Sequence, residues 1–66
     1  MISFVMYEKK NVHVVYIYRE TENHFLFHFK QETFCIHKDK IYPLEYRFLY
    51  NFMYCKFEDC IKVNLI

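Results

Sequence analysis

The order of apolar and polar residues divides the chain into two halves with different periods. Ile2 to Tyr7 is a short apolar run of strand formers, ended by Glu8-Lys9-Lys10-Asn11. With no glycine present, Asn11 is the turn residue best suited to a left-handed backbone. Val12 to Arg19 (VHVVYIYR) is dominated by β-branched and aromatic residues and predicts the strongest strand. Glu20-Thr21-Glu22-Asn23 supplies the next turn. From His24 to Lys30 the alternation is strict, with Phe25, Phe27 and Phe29 on one side and His24, Leu26, His28 and Lys30 on the other. A tight Gln31-Glu32 connection leads to a fourth strand, Thr33 to His37, closed by Lys38-Asp39-Lys40. Connections this short imply antiparallel neighbours and hence a meander.

The second half supports two periods. Pro43 suits the first turn of a helix, where its missing N–H has no helical partner anyway. On a helical wheel Tyr46, Leu49, Tyr50, Met53, Phe57, Cys60 and Ile61 form an apolar stripe, opposed by Arg47, Asn51, Glu58 and Lys62. Phe48 and Phe52 fall beside that stripe. Tyr42, Leu44, Tyr46, Phe48, Tyr50, Phe52 and Tyr54 also alternate as in a strand, but the run exceeds ordinary strand length and holds no turn residue. The helix is therefore the preferred reading over residues 43–57. Ile61, Val63 and Leu65 against Lys62 and Asn64 add a short last strand. Residues 1–66 thus read as a single α+β domain, an antiparallel four- to five-stranded meander with one C-terminal helix packed on a face, in the order β-β-β-β-α-β.

Composition sharpens this picture in one respect. The 66 residues include eight Phe and seven Tyr but no Gly and no Trp, so almost every apolar side chain is bulky. A domain this small buries only about 60% of the surface its unfolded chain exposes. Rings left outside collect into patches that mark interfaces. AT-rich genomes, such as those of many viruses and mobile elements, produce this composition by codon bias, but its physical consequence is the same.

Formal charge is +1, from nine basic and eight acidic residues. The longest basic run is Lys9-Lys10, and the electrostatic footprint of a duplex-binding protein is missing. Three cysteines without framework spacing, and an N-terminal apolar stretch too short for a secretory signal, predict reduced thiols and a cytoplasmic protein. No apolar run approaches the roughly 20 residues a membrane helix needs, so no membrane partner is expected.

Candidate chemistry is sparse. Without glycine there is no phosphate-cradling loop, dinucleotide fingerprint or nucleophile elbow. The one serine, Ser3, has no acid–base partner near it in sequence. The expectation is a protein that is not an enzyme and carries no cofactor; only a Cys–His nucleophile pair, whose partners meet in space, is left open. Cys35 and His37, two apart on a strand, would face the same way at about 6–7 Å and could share a zinc ion. His24 and His28 on a strand are about 13 Å apart, too far for one ion. Cys55 and Cys60 on a helix would diverge by about 140°. Buried free thiols and half-exposed imidazoles explain these residues more simply than a metal, and no metal site is assigned. His24 and His28 share the face opposite the three phenylalanines; a merely polar outer face explains them more simply than a partner contact.

These features predict a small protein-interaction module that self-associates, most simply as a homodimer, or acts as inhibitor or adaptor of a larger protein. Its warrant is the second strand, apolar on both faces (Val12, Val14, Tyr16 and Tyr18 against Val15 and Ile17), and the surplus rings of the second half. Tyr16, Tyr18, Phe48, Phe52 and Tyr54 are the expected contact residues. The alternative is a single-stranded nucleic-acid-binding sheet, with bases stacked on Tyr16 and Tyr18 beside Arg19 and Lys30. Glutamates at positions 8, 20, 22 and 32, in the adjoining turns, and the near-zero net charge weigh against it.

Overall fold

A computed structural model describes residues 2–44 and 52–64. The described chain is built from seven strands: β1 (Ser3–Glu8), β2 (Asn11–Glu20), β3 (His24–Phe29), β4 (Glu32–His37), β5 (Tyr42–Pro43), β6 (Met53–Lys56) and β7 (Ile61–Lys62). Two three-residue 3-10 turns, Lys38–Lys40 and Phe57–Asp59, are the only helical elements among the described residues. The first four strands pair antiparallel in chain order, as the short connections between them imply.

The architecture corrects the α+β expectation. All seven strands form one curled, mixed sheet in the order β5-β6-β1-β2-β3-β4-β7, and there is no packed C-terminal helix among the described residues. Met53, assigned to the helical stripe, begins β6; Phe57 begins a 3-10 turn, Cys60 follows it, and Ile61 begins β7. Tyr46, Leu49 and Tyr50 lie outside the described residues. The alternating reading of the same segment explains what forms. Tyr42 pairs with Tyr54, Pro43 with Met53, and the Leu44 amide donates to the Phe52 carbonyl at 3.0 Å. β6 then lies parallel to β1 along Val5, Met6 and Tyr7. The helix loses because β1 has an unpaired edge that a strand can hydrogen-bond and a helix cannot.

The curl originates in β2. Its ten residues pair with β1 from Asn11 to Tyr16, while its β3 ladder begins at Ile17. The register slips between Ile17 and Arg19, placing a bulge at Tyr18 that bends the strand. In a flat sheet, next-but-one strands lie about 9–10 Å apart. Across the bend, however, Phe4 of β1 and Phe27 of β3 meet edge to face with ring centroids 5.2 Å apart. Phe4, Met6, Val15, Phe25, Phe27, Phe34, Ile36, Ile41 and Cys55 fill the concave side. A four-residue connection from β6 to β7 crosses the open end of the curl. There Phe57 packs on Phe34 and Phe29 at 5.3 and 5.8 Å.

The turns manage without glycine. In the β1–β2 turn it is Lys9, with φ 54°, and not Asn11 that takes the left-handed backbone, because Asn11 already pairs with Glu8 as the first residue of β2. In the β3–β4 turn both Lys30 (φ 51°) and Gln31 (φ 64°) do so, as a two-residue hairpin of type I′ requires.

Candidate protein-interaction face

Alternation on a bent sheet leaves a second apolar surface on the convex side. On β2, His13, Val15 and Ile17 turn toward the core and Val12, Val14 and Tyr16 turn away. Val14 is 54% exposed, Tyr16 68% and Tyr18 46%. The strand register carries this surface sideways through three further strands. Val14 stands beside Val5 on β1, Val5 beside Tyr54 on β6, and Tyr54 beside Tyr42 on β5. The Tyr54 ring packs on Tyr7 and on Tyr42, each at 5.7 Å. Val5 and Leu44 are buried yet stand apart from the core cluster.

Where β2 leaves β3 the surface becomes a groove of about 610 Å³, lined by Val12 to Tyr18 with His28, Phe29 and Lys30. Tyr18 stacks on His28 with centroids 4.2 Å apart and planes 8° from parallel. Charged residues border this surface. The Glu8 carboxylate accepts from His13 Nε2 at 3.2 Å and Lys30 Nζ at 3.4 Å. Partial desolvation pushes the Glu8 carboxyl up, but these two hydrogen bonds outweigh it and the net shift is downward. Lys38 donates to Glu20 at 2.6 Å and lowers that carboxyl in the same way.

Of the residues expected at an interface, the fold brings together three. Tyr16 and Tyr18 lie on the convex face of β2, and Tyr54 lies two strands away on the same face. Phe52 is half-buried immediately before β6, and Phe48 lies outside the described residues. Tyr42 and Tyr7 pack on Tyr54 at the same face; Tyr42 belongs to the alternating run that the helical reading set aside, and Tyr7 ends the first apolar run. His28 borders the surface, since His24, Leu26 and His28 turn away from the buried Phe25 and Phe27.

The histidine and cysteine positions resolve differently. His24 and His37 face each other across β3 and β4, with rings 4.9 Å apart. The His37 Nδ1 accepts the Asp39 amide at 3.1 Å. Among the described residues no group of three His, Cys, Asp or Glu side chains is placed to hold a metal ion. Cys55 and Cys60, expected to diverge on a helix, instead have sulfurs 4.0 Å apart, because a strand end and a 3-10 turn double the chain back. Their contact holds the Cys60 thiol below its ordinary range, while the same contact together with burial pushes Cys55 up. Desolvation pushes Cys35 up. No helix among the described residues is long and apolar enough to cross a membrane.

No family model, curated protein or solved structure matches this chain. The reading of the convex face therefore depends on its own residues.

Proposed function

We propose that this protein is a small, non-enzymatic interaction module that self-associates through the convex face of β2. The observation that carries the reading is the row of Val12, Val14, Tyr16 and Tyr18, all exposed on a strand whose opposite face is already committed to the core. Small antiparallel sheets normally present polar residues on their outer side. An outer side of valine and tyrosine is the composition of an interface centre, where aromatics dominate the energy.

Two further features favour a second copy over strand addition at an edge. The edge strands β5 and β7 are two residues each, too short to template another chain. The exposed β2 row bears no charge, so a copy meets no repulsion there. A standard interface covers about 800 Å² per partner, roughly 15% of the 5312 Å² surface of this chain. A larger protein served as inhibitor or adaptor target would use the same face. Lys30, which lines the groove together with Tyr18, lies against Glu8, which weakens its appeal to a nucleic-acid phosphate.

The test is concentration-dependent NMR on isotope-labelled protein. Dilution from millimolar to micromolar should shift the amides of Val12 to Tyr18 and leave those of buried Phe25 to Phe27 in place. Shifts confined to β3 and β4, or none at all, would refute the reading.

A further inference from the structure

We propose that Met6, Cys55 and Cys60 form a binding site for one Cu(I) ion. The site stands independently of self-association. Met6 on β1 and Cys55 on β6 are register partners in the parallel pair, and both turn into the core. After β6 the 3-10 turn Phe57–Asp59, closed by the Cys60 amide on the Phe57 carbonyl at 2.9 Å, returns the chain over them. Cys60 Sγ then lies 4.0 Å from Cys55 Sγ and 3.9 Å from Met6 Sδ. Cys60 thus brings its sulfur to about 4 Å from two others that belong to adjacent strands.

The two spacings from Cys60 suit a metal. An ion held about 2.3 Å from each of three sulfurs in a trigonal plane sets them about 4 Å from one another. The donor set selects which metal. Two thiolates and a thioether are soft ligands, the combination that favours Cu(I). Structural zinc asks for four thiolate, imidazole or carboxylate donors, and no group of three such residues is available here among the described residues.

The surroundings suit the oxidation state. Met6 and Cys55 are fully buried among Phe4, Phe27 and Ile36, and Cys60 is partly exposed, which gives the ion a way in. An apolar shell limits water access. Binding Cu(I) would release the two thiol protons to solvent and leave a centre with one net negative charge.

The experiment is an anaerobic titration of the reduced, untagged chain against Cu(I) held by bicinchoninate, read by the colour of the chelate. The wild type should withdraw one equivalent per chain, and X-ray absorption of the product should show a shell of sulfur alone. Cys60→Ser should weaken binding by more than about a hundredfold, beyond what outer-shell changes produce, and the volume-conserving Met6→Leu by about tenfold. Cys35→Ser should bind as the wild type does. Circular dichroism confirms that each variant is folded. If the wild type fails to compete with bicinchoninate, if Cys60→Ser competes equally well, or if the shell contains nitrogen or oxygen, the assignment is overturned; the wild-type arm decides even where a variant misfolds.

Discussion

The phenol ring of Tyr18 lies flat on the imidazole of His28, 4.2 Å away and 8° from parallel. Tyr18 occupies the bulge between Ile17 and Arg19, and His28 Nδ1 is tied to the Thr33 hydroxyl at 3.1 Å. The bend in β2 therefore has a side-chain brace on its convex side. Stacked aromatic pairs contribute about 0.5–1.5 kcal/mol beyond their buried area. A double-mutant cycle of Tyr18→Ala and His28→Ala in urea unfolding should return a coupling in that range. Zero coupling would remove the brace from the account.

The two faces of the sheet should respond in opposite ways to truncation. Phe27 is fully buried against Phe4 and Phe34. Phe27→Ala should cost about 3–5 kcal/mol, a large share of the stability of so small a domain. Tyr16→Ser, on the exposed face, should change monomer stability by no more than about 0.5 kcal/mol. Urea unfolding at low micromolar concentration checks both, and equal losses at the two sites would contradict the division into core and contact face.

The β3–β4 turn holds two non-glycine residues in a left-handed backbone that costs roughly 1–2 kcal/mol per residue. Gln31→Gly relieves one of them. It should stabilise the protein by about 1 kcal/mol and raise Tm by about 4–8 °C. An unchanged or lower Tm would mean that the turn is not of this type.

Much of this was legible in the sequence, and the failures have one physical origin. Strands β1 to β4 follow from alternation because charged turns separate them. The second half has no such punctuation. Nine of the thirteen residues from Tyr42 to Tyr54 are large and apolar, so periods of 2 and 3.6 both find a stripe, and tertiary pairing decides. Met53 to Lys56 becomes a strand because β1 offers it a partner. The same pairing sets Tyr42 against Tyr54 on the contact face. The convergence of Met6, Cys55 and Cys60 was hidden for a further reason: it depends on a parallel register and a 3-10 turn, neither of which leaves a local spacing signal.

Glu8 gives a pH dependence. Its carboxyl is held below the ordinary value of 4.5 in the folded chain, the hydrogen bonds from His13 and Lys30 outweighing desolvation. A depressed carboxyl contributes stability above its unfolded value and loses it as pH falls through the folded one. Glu8→Gln should therefore lie below the wild type in Tm at neutral pH and converge with it under acid conditions. The gap should shrink in high salt, since the pair is exposed. Parallel Tm curves for the two proteins from pH 7 to 3 would show that Glu8 carries no such role.

The central claim concerns what covers β2. Sedimentation equilibrium of the wild type and of Tyr16→Asp, from one to one hundred micromolar, measures it directly. The account predicts a reversible dimer for the wild type and a folded monomer for the variant, a shift of about 2 kcal/mol or more in association free energy. A wild type that stays monomeric across that range, or a variant that associates as tightly as the wild type, would contradict it.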